Sequence, residues 1–292
     1  MSGLSSRLFP AAEAGRFLKT IALPARMLNR TIQRVTITGQ EHIPRSGPAL
    51  VVANHTVHLD AASVGVAVYD AGRAPAFAAA VDFFRYPGLG LILKNIGAVP
   101  VYRDVPNAAD SLDGIRQALD AGRVVVLFPE GTFTRDPQLW PMRGKTGISR
   151  LMASHPHVPV IPVAHWGNEG IYNPWTNKLS LRKLGKTTRL DVVIGEPLNY
   201  SVSADADYEE LTVATGHVIA EITKLLVPLR EANSCGLSPV PRERPWDRAI
   251  DGDPFEEDNV ANRSRRAQLS RVWGAVTRPV AQLARLAKRF TS

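Results

Sequence analysis

The chain has 292 residues, 45% of them hydrophobic, with no low-complexity stretch and no internal repeat, which fits one large domain with an appendage. Its single cysteine, Cys235, excludes a disulfide framework, and a Ser/Gly/Pro-rich setting argues against its use as a thiolate nucleophile. The net charge is +8, yet residues 261–292 alone carry eight basic residues and no acid, so the remainder sums to zero and is no platform for nucleic acid.

The first fifteen residues carry no basic region followed by a long apolar run, so no signal peptide is expected. No window reaches the roughly 18 consecutive apolar residues of a membrane-spanning helix. Residues 11–34 then read as a helix with Phe17, Ile21, Leu28 and Ile32 on one face, kinked or split at Pro24. Strands are expected at Arg34 to Thr38 and at Ala49 to Ala53, the second a continuous apolar run of the buried kind. A helix over Ala61 to Tyr69 follows, with Asp60 near its N-cap. Next come a strand at Ala98 to Tyr102, a helix at Ala108 to Ala121 and a buried strand at Arg123 to Phe128. Val158 to Val163 carries two prolines and reads as an edge or cleft-lining strand. Arg189 to Ile194 closes the strands and Tyr208 to Arg230 the helices. This alternation predicts an α/β fold, a mostly parallel sheet flanked by helices.

Four units are expected: an amphipathic helical segment over 1–34, the main domain over 35–233, a flexible linker over 234–262, and a basic amphipathic helix over 263–292. In the last, Leu269, Val272, Trp273, Val276, Val280, Leu283 and Phe290 form one apolar stripe between arginines. Such a helix suits an anionic membrane surface, apolar face down; docking on the protein's own core is the alternative, and it stands equally for residues 11–34.

Two segments at strand ends carry the chemistry. Asn54-His55-Thr56-Val57-His58-Leu59-Asp60 follows a buried strand, where α/β folds place their sites. An imidazole is the natural proton acceptor near neutral pH, and an acid across a tight turn can fix its tautomer. No Gly-x-Ser-x-Gly elbow accompanies it, so the base would act on a hydroxyl of the substrate. His55, His58 and Asp60 as metal ligands, or Asp60 as a plain helix cap, are the competing readings. Phe128-Pro129-Glu130-Gly131-Thr132 ends a second buried strand and suits substrate binding, or else an ordinary turn. Arg103, at the end of Gly97-Ala98-Val99-Pro100-Val101-Tyr102-Arg103, could hold a phosphate, though a lone arginine is more often a solvated one. Gly144-Lys145-Thr146 lacks the first glycine of a phosphate loop, Leu139 standing in its place, and Gly88-Leu89-Gly90 lacks the third of a dinucleotide fingerprint.

In order, Asn-His-x4-Asp, Gly-x5-Arg, Phe-Pro-Glu-Gly-Thr and Val158-Pro-Val-Ile-Pro-Val163 resemble the motif series of the bacterial 1-acylglycerol-3-phosphate acyltransferases, from about Val35 to Leu226. The resemblance implies acyl transfer from acyl-CoA or acyl-carrier protein to the free hydroxyl of a lysophospholipid, peripherally at the cytoplasmic face of the membrane, with no cofactor and no metal. It implies His55 as base, Asp60 as its partner, Arg103 on the acceptor's phosphate, and Glu130, Gly131 and Thr132 in substrate binding. The family usually has arginine after Glu-Gly-Thr; here stands Phe133, with Arg135 two positions on as the candidate for the same phosphate. That departure leaves other lysolipid, glycolipid or polyol acceptors open, and a non-catalytic membrane-binding protein on the same fold is the remaining alternative.

Overall fold

A computed structural model describes residues 11, 13–102, 110–173, 178–179 and 188–254. The expected C-terminal helix and Arg103 lie outside the described residues.

Seven strands make one sheet. They are β1 (Arg34–Thr38), β2 (Ala49–Ala53), β3 (Pro75–Ala80), β4 (Val99–Val101), β5 (Val124–Leu127), β6 (Val160–Trp166) and β7 (Arg189–Ile194). Their spatial order is β1-β7-β6-β2-β5-β3-β4, and every neighbouring pair is parallel except β6 with β7. The sheet is thus mixed and mostly parallel.

Strand β2 shows why its sequence is apolar throughout. Leu50 and Val52 enter one core with Ile115, Leu151, Val218 and Ile222 from the helices of one face. Ala49, Val51 and Ala53 enter the other, against Val64, Ala67 and Val68. The two-residue period sends alternate side chains to opposite faces, and both faces are roofed. Each fully buried valine or leucine contributes roughly 1.5–3 kcal/mol.

The helices are α1 (Arg16–Ile32), α2 (Asp60–Asp70), α3 (Val81–Arg85), α4 (Leu89–Asn95), α5 (Asp113–Asp120), α6 (Gly147–Ser154), α7 (Tyr208–Ala232) and α8 (Arg248–Asp251). By length and composition α7 could cross a membrane, but Leu211, Val218, Ile222 and Leu226 are buried against the sheet. It is a core helix, opened by a capping box in which Asp207 and Glu210 each accept the other's amide hydrogen.

Four expectations change. Helix α1 runs through Pro24 as one element. Small residues dock this end of the chain, Ala22 of the helix with Ala11 and Ala14 just ahead of it against Tyr69, and Arg26 lies on Asp70 at 2.6 Å; Phe17 and Ile21 are only half-buried. Strand β3 is Pro-Ala-Phe-Ala-Ala-Ala, whose weak strand propensity hid it. Strand β6 is interior rather than an edge, buried along its whole length between β2 and β7. Pro162, and Pro159 just ahead of the strand, precede Val163–Trp166, the stretch that pairs with β7, so they remove no hydrogen from that ladder. Finally, residues 234–254 of the expected linker lie back along residues 134–143. Arg242 meets Asp136 at 2.7 Å, Asp247 meets Arg143 at 2.7 Å, and Asp253 meets Arg135 at 3.0 Å.

Candidate active site

The carboxyl ends of β2, β5 and β6 lie side by side, and each is followed by a loop carrying polar side chains. His55 stands two residues past β2, and Asp60 opens α2. His55 Nδ1 is 3.1 Å from Asp60 Oδ2. That same oxygen accepts the amide hydrogens of Thr56 at 2.6 Å and Val57 at 2.7 Å. The other, Oδ1, accepts from Asn168 Nδ2 at 2.9 Å. Asp60 is therefore more than a cap: it organises the turn and holds the imidazole. With a carboxylate facing Nδ1, that nitrogen carries the hydrogen, and Nε2 is left as the base. Nε2 makes no hydrogen bond among the described residues, and 16% of the side chain is exposed.

The loop after β5 closes over this turn. The His55 amide donates to Glu130 Oε1 at 3.0 Å, and the His55 carbonyl accepts from the Thr134 amide at 2.7 Å. Phe128 stacks on the imidazole with centroids 4.0 Å apart and planes 16° off parallel, and Phe133 leans on it at 4.4 Å. Burial in this aromatic setting lowers the proton affinity of His55, against the opposing pull of Asp60. Burial alone would raise the Asp60 carboxyl, but His165 and the bonds from His55 and the Val57 amide outweigh it and hold it at about 2. At neutral pH the pair is thus a neutral imidazole on an ionised carboxylate, the state a general base requires.

Glu130 has a different place from the one its motif suggests. It is 1% exposed, and Oε2 accepts the Met142 amide at 3.0 Å while Oε1 holds His55. Burial pushes it up to about 8, against the pull of those two amides. It joins the two loops and presents no oxygen to a substrate. Gly131 has φ 71°, in the left-handed region, and a Cβ there would lie 3.0 Å from Lys145 Cδ. Thr132 is half-exposed beside it. Arg135 is drawn to Asp253, with 15% of its side chain exposed. His58 is exposed and meets Phe133 edge-on at 4.5 Å.

A buried polar layer behind Asp60 was not anticipated. His165, at the end of β6, sits 3.7 Å from Asp60 Oδ1. Gly167 has φ 129°, and a Cβ there would lie 1.9 Å from the Arg189 carbonyl oxygen, so only glycine makes the turn that returns Asn168 and Glu169 beneath Asp60. Burial, then the charge of Asp60, raises the Glu169 carboxyl. The near ends of Asp60, His165 and Glu169 lie within 4.8 Å of one another. Their oxygens are already engaged: those of Asp60 as above, those of Glu169 by the Thr56 hydroxyl and the Gly167 amide at 2.8 Å. Such donors facing inward make a hydrogen-bonded cluster, not a cation cage. A signal existed: β6 is parallel to β2, so residues just past Val163 must surface beside Asn54.

An acid-supported imidazole thus stands at the strand ends of a mixed α/β sheet, an arrangement able to take a proton from a bound hydroxyl. Residues 34–166, which hold His55, Asp60, Glu130 and His165, match the family described as Acyltransferase. Two chloroplastic 1-acyl-sn-glycerol-3-phosphate acyltransferases, from Brassica napus and Arabidopsis thaliana, are each 28% identical over 176 residues. The matches cover 57% and 56% of this chain and 49% and 47% of theirs, so the chain spans about half the length of those relatives. An uncharacterized Mycobacterium tuberculosis protein is 31% identical over 161 residues, 52% of this chain and 42% of its own. The solved 1-acyl-sn-glycerophosphate acyltransferase of Thermotoga maritima shares the fold, with a TM-score of 0.51, 23% identity, and coverage of 72% of this chain and 79% of that one.

Proposed function

We propose that this protein transfers a fatty acyl group from acyl-CoA or acyl-carrier protein to the free hydroxyl of 1-acylglycerol-3-phosphate, giving phosphatidate. The observation that carries the reading is the His55–Asp60 hydrogen bond with Nε2 left open and both His55 backbone groups held by the second loop. The similarity to two lysophosphatidate acyltransferases supports the acceptor.

Nε2 takes the proton of the acceptor hydroxyl as its oxygen attacks the thioester carbonyl. Asp60 stabilises the imidazolium that forms. The tetrahedral intermediate collapses, the carbon–sulfur bond breaks, and His55 returns the proton to the departing thiolate. A general base contributes roughly 10²–10⁴ in rate. The test is thiol release from a long-chain acyl-CoA by protein in detergent, with lysophosphatidate as acceptor. His55→Ala is expected to lose that factor; equal turnover removes His55 from the mechanism.

A second acceptor class is favoured by one observation. Phe133 packs on the imidazole where an arginine was expected, and Arg135 is paired with Asp253. Both leave less cationic charge near Nε2 for a phosphate. A panel of lysophosphatidate, other lysolipids, a glycolipid and a polyol separates the two by kcat/KM.

The protein works, in this proposal, as a peripheral protein on the cytoplasmic face, its basic residues 263–292 on anionic lipid. Deleting residues 261–292 is expected to weaken binding to anionic vesicles, most at low salt. Unchanged binding assigns that segment to the protein's own core.

A further inference from the structure

His165 is fully buried, and both of its ring nitrogens look at oxygens that can only accept. Nε2 is 2.7 Å from the Asn54 carbonyl oxygen. Nδ1 is 3.7 Å from Asp60 Oδ1, within ion-pair reach, and has no hydrogen-bond partner. A neutral imidazole carries one hydrogen. With it on Nε2, a bare lone pair faces the Asp60 carboxylate. With it on Nδ1, a bare lone pair faces a carbonyl. Each neutral tautomer sets electron pairs against each other in a site without water's dielectric. Two ring hydrogens place a hydrogen bond on the Asn54 carbonyl and a positive charge 3.7 Å from the Asp60 carboxylate.

The surrounding charges agree. From α2 comes Asp60, from the turn after β6 comes Glu169, and both lie close to His165. Two buried carboxylates this near one another need a cation, or one of them must take a proton. The groups facing them from other elements are His55, on the far side of Asp60, and Arg230 of α7. The Arg230 guanidinium lies over Trp166 at 4.3 Å, and its charge acts on Glu169. Asn54, Thr56 and Asn168 fill the remaining contacts and are neutral.

We propose that His165 is a buried imidazolium that shares the Asp60 carboxylate with His55, and that it thereby sets the proton affinity of the base. This deepens the acyl-transfer reading and rests on it for its consequence. His165 touches no substrate; it is a positioning residue acting through Asp60. Three hydrogen bonds join it to Asn54: the ring bond, the His165 amide to Asn54 Oδ1 at 3.0 Å, and Asn54 Nδ2 to the His165 carbonyl at 3.1 Å. The residue before His55 is thereby fixed as well. A positive charge on the far side of Asp60 leaves less of the carboxylate for His55. His55 then stays unprotonated to lower pH and gives up its proton more readily to the leaving thiolate.

The direct test is nitrogen NMR of the full chain in detergent, labelled at histidine, at neutral pH. His165 is assigned from His165→Gln or, should that variant not fold, from contacts of its ring to Asn54. Both ring nitrogens are expected at protonated shifts. One bare nitrogen overturns the proposal. This readout needs no turnover, so an inactive protein with an imidazolium at 165 would sink the transfer reading alone. The kinetic arm uses His165→Gln, which removes the charge and keeps a donor for Asn54. With Asp60 no longer shared, the acid limb of kcat/KM is expected to move up by roughly one pH unit. A limb unmoved in a folded variant also overturns the proposal, because a merely structural residue would lower the plateau and leave the limb in place.

Discussion

The loop after β2 and the loop after β5 meet over one imidazole, but they are secured in different ways. The first is held from within: Asp60 has no exposed surface and accepts from Thr56, Val57, His55 and Asn168. The second is held partly from outside, by a strap whose ion pairs reach solvent. Arg143 is 46% exposed against Asp247, and Arg242 43% exposed against Asp136. Buried charge-assisted hydrogen bonds are worth about 1.5–3 kcal/mol each and resist salt, whereas exposed ion pairs are worth up to about 1 kcal/mol and do not. The base is therefore fixed by geometry that one substitution destroys. The second loop, tied by pairs that salt can screen, is the more adjustable of the two.

The sharpest way to break this contrast is Asp60→Asn. The amide must point its hydrogens either at the Thr56 and Val57 amides and His55, which share one oxygen of Asp60, or, flipped, at Asn168 Nδ2 on the other, so one buried donor is always left facing another. Activity is expected to fall by roughly 10²–10⁴, as the tautomer and the imidazolium lose their support. Stability is expected to fall by about 1–3 kcal/mol in denaturant. Activity retained to within tenfold would mean that Asp60 shapes the turn and nothing else.

Glu130 comes next. Its carboxyl is raised to about 8 from an unfolded value of 4.5, so the protonated form is favoured by folding. That contribution is fully present below pH 4.5 and is lost as pH rises through about 8. Unfolding monitored between these limits should show stability falling with pH in the wild type. The slope should be smaller in Glu130→Gln, at a cost of about 1–3 kcal/mol for an amide hydrogen left without an acceptor. Equal slopes would place the titration elsewhere. For His55 the sign is opposite in consequence: burial lowers its affinity for a proton, so the acid limb of kcat/KM should lie below pH 6.5. A limb above that value would contradict an aromatic setting that disfavours charge.

The same contrast separates what the sequence reveals from what it hides. His55 and Asp60 are legible because a five-residue spacing across a helix start forces the two side chains together, whatever the rest of the chain does. The parallel sheet is legible from the unbroken apolar runs of β2 and β5, which only two roofed faces explain. Strand β3 is not, because four alanines and a proline carry no period. The layer of His165, Asn168 and Glu169 is hidden for another reason. It lies 105 or more residues from its partners Ser63 and Asp60, and it becomes visible only once β6 is placed beside β2. Glu130 was found by its motif and given the wrong direction: composition shows a carboxylate at a strand end, and only burial shows that it faces two amides. The strap is hidden because proline, arginine and acid look like a solvated linker until Asp247, Asp251 and Asp253 meet Arg143, Arg244 and Arg135.

The smallest expected effect tests the strap itself. Arg135→Ala and Asp253→Ala each remove one side of a pair with 15% and 10% exposure. The pair is screened less than its neighbours and more than Asp60, so each single change is expected to cost about 1 kcal/mol or less. In a double-mutant cycle the coupling should account for most of that, and it should shrink as salt is raised. Acceptor KM gives the decisive comparison. If Arg135 serves the strap, both variants shift the KM for lysophosphatidate alike and by less than about threefold, since each merely loosens the same wall. If Arg135 instead leaves Asp253 to hold the acceptor's phosphate, Arg135→Ala alone raises that KM, and Asp253→Ala lowers it by freeing the guanidinium. The two variants then move in opposite directions, which no loosening of a shared loop can produce.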